Sequence, residues 1–287
     1  MILLSIGQLG YAQGFNNRTK SRNLIITGGA GLSMYFGDLA AKGDYSHNNW
    51  NATGGVRYHL GDRFNVGVDA TFFKLKGEDY KDPIKAPRNL SFVSRCFEMN
   101  TAIYIDLLPV SQRFYLRPQF NPYIFAGVGF VTWTPMADLD GERHKLRPLQ
   151  TEGVSYSNIA AVFPLGFGVK YRLNPFFNIV LEGAYRFTTT DYLDDVSSGV
   201  FPNPASFSND IARRLSDRSG EVGLDPPFSE RGSEVRGNPD RNDGYFLLNL
   251  KVEYYLSNVA ISGSQYRGGF KYKKPSKYKP PRRPRRR

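Results

Sequence analysis

Over most of this chain apolar and polar residues alternate with a period of two, as in strands with one oily and one polar face. From Leu24 onward, Ile26, Ala30, Leu32, Met34 and Phe36 share one face, opposite Thr27, Gly29, Gly31 and Ser33. A second run sets Trp50, Ala52, Val56, Tyr58 and Leu60 against Asn51, Thr53, Arg57 and His59. After a Gly61-Asp62 turn, a third sets Phe64, Val66, Val68, Ala70 and Phe72 against Asn65, Gly67, Asp69 and Thr71. The fourth places Val93, Phe97, Met99, Ile103 and Ile105 opposite Ser94, Glu98, Asn100 and Asp106, with Arg95 out of character on the apolar side. Pro122 to Trp133 is Gly-rich and its facing is ambiguous. In the sixth run Phe163, Leu165, Phe167, Val169 and Tyr171 oppose Pro164, Gly166, Gly168 and Lys170. An Asn174-Pro175 turn then leads into a strand where Phe177, Ile179, Leu181, Tyr185 and Phe187 oppose Asn178, Glu182, Arg186 and Thr188. The last run sets Phe246, Leu248, Leu250, Val252, Tyr254 and Leu256 against Asn249, Lys251 and Glu253.

The pattern predicts an all-β chain of about eight strands, each about 10 to 14 residues long and so longer than a usual soluble strand. The connections alternate in length. Gly61-Asp62 and Asn174-Pro175 are tight and Pro109 to Phe120 is moderate, whereas Asp38 to Asn49, Gly77 to Ser91, Pro135 to Ser157 and Tyr192 to Asp243 are long. Short turns on one rim and long loops on the other predict a single up-and-down antiparallel transmembrane barrel, the short turns and both termini periplasmic, the long loops extracellular.

Alternation alone also suits a soluble lipocalin-like barrel, whose oily face points inward. The polar phase separates the two. It is mainly Gly, Thr, Ser and Asn with charges of both signs, namely Arg57, Asp69, Glu98, Lys170, Glu182, Arg186, Lys251 and Glu253. That mixture suits a narrow lumen where charges pair, and the eight are expected to form an ion-paired plug. A proton or solute path through Glu98, Glu182, Arg186 and Lys251 is the weaker reading, because unpaired burial is costly. On the apolar phase, Phe36, Trp50, Tyr58, Phe64, Phe72, Tyr171, Phe177, Phe187 and Tyr254 lie near strand ends, as the aromatic girdles of a lipid-facing barrel would. Outer-membrane lipid is therefore an expected partner.

Composition changes this picture mainly at the ends. No apolar run approaches the roughly 18 residues of a transmembrane helix. Of a net charge of +12, eleven units lie beyond Ser257, so the high pI describes a tail. Residues 1–12 resemble the remnant of a secretory signal, 13–257 form the barrel, and 258–287 form a basic, Pro-rich segment too polar to build a core. In the tail, Lys271, Lys273, Lys274, Lys277, Lys279, Arg282, Arg283, Arg285, Arg286 and Arg287 are candidates for contact with an acidic partner, a membrane surface or a cell-wall polyanion. Nucleic acid is not expected in a periplasmic setting.

Candidate chemistry is sparse. Cys96 is the single cysteine, and His47, His59 and His144 are too scattered for zinc. Gly28-Gly29-Ala30-Gly31 lacks the helix and βαβ unit of a dinucleotide site, so no cofactor is expected. His47 near Asp38 and Asp44 is the nearest approach to a catalytic set, and it lacks an assembled nucleophile, base and orienter, so no enzyme is expected. Asp191, Asp194 and Asp195 end the seventh strand at the outer rim. Without a spaced ligand loop they suit Asx-type hydrogen bonding more than Ca²⁺.

Two stretches carry a family resemblance. Gly29-Ala30-Gly31-Leu32-Ser33-Met34-Tyr35-Phe36-Gly37-Asp38-Leu39 and Thr189-Thr190-Asp191-Tyr192-Leu193-Asp194-Asp195-Val196-Ser197 together resemble the PorG family of Bacteroidetes outer-membrane barrels. The resemblance spans about Leu24 to Leu256 and extends neither to the basic tail nor to the length of the last loop. It implies a non-enzymatic component of the type IX protein secretion and gliding machinery, associated with a periplasmic ring of PorK-like lipoprotein and PorN-like partner. The alternative is a small OmpW- or OmpA-like barrel for small-solute passage or surface ligand binding.

Overall fold

The computed structural model describes residues 23–40, 49–110, 117–232 and 234–256. Nine strands run in chain order: β1 Leu24–Phe36, β2 Asn49–His59, β3 Phe64–Glu78, β4 Ser91–Asp106, β5 Phe120–Leu139, β6 Glu142–Lys145, β7 Ile159–Arg172, β8 Phe177–Thr188 and β9 Gly244–Tyr255. Every pairing is antiparallel, each barrel strand pairs with its sequence neighbour, and β9 returns to β1, so eight strands close into a barrel with β6 as an extra strand beside β5. Closure gives each of the eight barrel strands a partner on both sides, as strands in a membrane must have.

Strands β1 and β9 approach closely where the barrel closes. A Cβ on Gly31 would stand 1.8 Å from the Leu248 carbonyl oxygen, and one on Gly29 would stand 2.4 Å from that of Leu250. The glycine spacing of the first strand is thus a packing requirement. At the short-turn rim the Leu256 amide donates to the Leu24 carbonyl at 2.9 Å, so both ends of the described barrel lie on that rim.

The alternation sorts the outward residues as expected. Trp50, Tyr58, Phe64, Phe72, Ile103, Ile124, Phe163, Phe167, Leu181, Phe187 and Leu250 are all exposed. Phe64 and Phe72, eight residues apart on β3, are separated by about 27 Å of strand; tilted, they bracket a band of roughly 20 Å, close to the apolar height of an outer-membrane barrel. Phe36, Phe177 and Tyr254 share this face half-covered, Phe177 lying 4.8 Å from Tyr254.

Two expectations need correction. Pro135 to Ser157 is not all loop: β5 continues to Leu139, turns through Asp140 and Gly141 at φ 54° and 84°, and returns as β6. Asp-Gly with two positive φ values is a strong hairpin signal. Nor is the lumen polar throughout. Its upper half is a buried apolar core that includes Tyr35, Phe73, Leu75, Phe92, Cys96, Val131, Trp133, Val162, Leu193, Tyr245 and Leu247. There the strands rise beyond the lipid-facing band and the long connections fold back over them, so the inward phase becomes the side that must be kept dry.

Candidate functional site

The lower lumen is built from the inward residues of seven strands. Arg57 on β2 reaches Glu182 on β8 at 2.8 Å and Glu253 on β9 at 2.9 Å. Lys251 holds the other oxygen of Glu182 at 2.6 Å and lies 3.7 Å from Asp69, as Arg57 does. Neutral donors complete the acceptors: Tyr104 donates to Asp69 and Tyr123 to Glu182, each at 2.6 Å, and Asn178 donates to Glu253 at 2.9 Å. The Arg57 guanidinium also stacks on Tyr104, 3.9 Å from the ring centre. Nearer the short-turn rim Lys170 meets Asp106 at 2.7 Å, and Arg117 sits over Tyr255 at 3.6 Å.

Nearer the apolar core Glu98 accepts from Asn100 at 2.6 Å and from the Tyr245 hydroxyl at 2.7 Å, with Arg186 3.4 Å away. All eight charges singled out in the sequence therefore point inward and are buried. Sequence reasoning missed Asp106 as a member of this set, and it missed the tyrosines 104, 123 and 245. An aromatic on the polar phase reads as an interruption of the alternation until its hydroxyl is seen to reach a carboxylate.

Above the apolar core the acids of the long connection between β8 and β9 form a latch. Asp194 and Asp243 both bond the Tyr35 hydroxyl, at 2.6 and 2.7 Å. Asp194 also accepts from the amides of Leu39 and Val196, and Asp243 from that of Leu193. A hydroxyl has one proton to donate, so two carboxyls at hydrogen-bond distance from it require a further proton on one of them. Burial accordingly pushes Asp194 and Asp243 well above the ordinary carboxylate range, their proximity adding to the effect on Asp243.

The neighbouring acids behave alike. Asp195 accepts from the Thr151 and Tyr156 hydroxyls and is raised by burial to about 6. Asp191, beside Ser197, is raised to about 7, chiefly by burial and further by Asp38 and Glu152. Glu152 pairs with buried Arg236 and accepts from the amides of Ser197 and Ser198. Trp133 donates its indole N–H to the Tyr192 carbonyl at 2.7 Å, tying the cap to the core beneath. The three rim acids are thus buried, and an outward-facing contact through their side chains is not available to them. Among the described residues no cluster of His, Cys, Asp and Glu has the arrangement to hold a metal ion. His47, Asp44 and the basic residues from Lys271 to Arg287 lie outside the described residues.

A closed antiparallel barrel, lipid-facing outside and filled inside, defines a small outer-membrane β-barrel protein. Residues 26–202 match the outer membrane protein beta-barrel domain family, and the chain belongs to it. Solved structures of similar fold include Neisserial surface protein A, at 12% identity and TM-score 0.41, covering 81% of this chain and 97% of that one. OprG from Pseudomonas aeruginosa is likewise 12% identical, with TM-score 0.38, covering 84% and 99%. The E. coli outer membrane protein W is 12% identical with TM-score 0.30, covering 83% and 99%. Comparison with curated proteins finds no match.

Proposed function

We propose that this protein is a non-enzymatic outer-membrane barrel of the small OmpW- or OmpA-like kind that works through its long-loop surface, as a binding platform, and not by passing solutes through its lumen. The observation that carries this reading is the double filling of the barrel: buried ion pairs around Arg57, Glu182 and Glu253 below, and side chains packed around Trp133 and Leu247 above. A path would have to break charge pairs in a dry interior, where an unpaired partner is costly. In this arrangement the lumenal charges act as a structural plug, the long loops face outward and both chain ends face the periplasm. Complementation tests it. A folded variant with an altered lumen, such as Arg57→Met combined with Glu182→Gln, should rescue the defect caused by gene loss, and one shortened between residues 198 and 238 should not. The opposite pair of results would overturn the reading.

A second reading is the secretion-ring role that the PorG resemblance implies. What supports it is that the two stretches carrying the resemblance fold into one unit, with Tyr35 and Leu39 of the first both bonded to Asp194 of the second. In that role the barrel anchors PorK- and PorN-like subunits, and the basic tail from Lys271 to Arg287 adds a periplasmic tether to an acidic partner or polyanion. Affinity purification from solubilised membranes with and without the tail tests both. Ring subunits should come down with the full chain, and their absence removes this role.

A further inference from the structure

The outward face carries a feature that neither the lumen nor the latch uses. Lys74 on β3 and Arg95 on β4 are registered partners, and both side chains point out of the barrel. Like charges directly opposed across a strand pair repel. Among the described residues neither has a carboxylate in salt-bridge contact, whereas their neighbours Lys76 and Arg143 are paired with Glu78 and Asp138.

Their height on the barrel is specific. One step below on the same face lies the registered pair Phe72 and Phe97, with ring centres 4.7 Å apart. One step above, Lys76, Val93, Met136 and Lys145 form a row across four strands, each the registered partner of the next. A hollow of about 280 Å³ opens here, lined by Lys74, Lys76, Val93 and Met136 and also by the carboxylates of Glu78 and Asp138, which Lys76 and Arg143 already neutralise. The two unpaired cations therefore stand where the lipid-facing aromatic band ends on the long-loop side. That is the depth of the headgroups of that leaflet.

We propose that Lys74 and Arg95 hold the phosphate of a lipid headgroup of the long-loop leaflet, its acyl chains lying over Phe72 and Phe97. Charge complementarity and continuity with the lipid-facing band select this occupant. An Arg fork takes two phosphate oxygens in parallel and an adjacent Lys supplies a point charge, so the anion relieves a repulsion that the fold otherwise leaves standing. Lys145, exposed at the edge of the row, adds a third cation within reach of a larger anionic headgroup. The site rests on the outer-membrane barrel alone and is independent of the platform and secretion-ring readings.

The protein carries its own reporter. Of its two tryptophans, Trp133 is buried inside, whereas Trp50 is exposed to lipid on β2, one position before the partner of Phe73 and so at the level of Lys74. The full chain is reconstituted in phosphatidylcholine bilayers containing brominated phosphatidic acid or brominated phosphatidylcholine, and Trp50 quenching is measured. We expect phosphatidic acid to be preferred about tenfold, the size of one charge-assisted contact. K74Q/R95Q should bring the preference to about one, and K145Q should lower it about twofold as a milder change at an exposed position. Millimolar inorganic phosphate should leave the preference intact. Equal quenching by the two lipids in the native chain overturns the proposal whether or not the double variant refolds. So does a preference that survives K74Q/R95Q, and so does one that free phosphate abolishes, which would mark a soluble-anion site.

Discussion

The two halves of the lumen fill the same cylinder with opposite chemistry. Below, Arg57, Lys251 and Lys170 pair with Glu182, Glu253, Asp69 and Asp106. Above, Phe73, Leu75, Trp133 and Leu247 pack against one another beneath the cap. Within the lipid-facing band the outer surface is already apolar, so a filled interior can be polar if every charge finds partners. Beyond the band the outer surface meets water, and the interior must supply the dry core that holds the long connections. The boundary is Tyr245, whose ring stacks on Phe73 at 4.8 Å while its hydroxyl reaches down to Glu98 at 2.7 Å.

If that contrast is right, the two halves should fail differently. Arg57→Met leaves Glu182 and Glu253 short of a partner in the interior and should cost about 3–5 kcal/mol, read as a lower urea midpoint for loss of the heat-modifiable gel form. Leu247→Ala in the upper half should cost about 2–5 kcal/mol through a cavity. Its loss should be milder when Leu247→Met keeps the volume, a rescue that has no counterpart at Arg57.

The latch predicts a pH dependence confined to the upper half. An acid whose pKa is raised in the folded state keeps its proton longer when folded, so its contribution is greatest below the unfolded value near 4 and is lost as pH rises through the folded value. With Asp195 at about 6 and Asp191 at about 7, the cap should loosen as pH climbs from about 4 to about 7, and Asp194 and Asp243 extend the loosening upward. Amide exchange at Leu193 and Val196, corrected for its intrinsic pH dependence, should be slower at acid than at alkaline pH. Asp194→Asn, which needs no proton to be neutral, should flatten the difference. Equal protection at both ends of the range would remove the shared proton from the account. The smallest effect belongs to the exposed pair of Arg214 with Asp140, at 2.6 Å. Asp140→Asn should leave the unfolding midpoint almost unchanged, because water screens such a pair.

Much of this fold could be read from the alternation, since a membrane barrel repeats one rule in every strand. The inward phase of Arg57, Glu182 and Glu253 was legible in the same way. Their pairing was not, because Arg57 and Glu253 lie 196 residues apart and no local pattern links them. The upper core was illegible for a different reason. Trp133 and Phe73 are apolar residues on the phase that lower down is polar, and only the height at which the strands leave the lipid-facing band tells which rule applies. The rim acids could be located but not interpreted, because their partners come from distant parts of the chain: Tyr35 for Asp194, and Thr151 and Tyr156 for Asp195.

The central claim is that this barrel is closed along its axis. Conductance across a planar bilayer containing the purified full chain tests it most directly. The filled lumen predicts no steady current above the bilayer leak in the native protein. A stable ohmic conductance that Arg57→Met or Trp133→Ala changes in size would place an open path through the lumen and contradict the account.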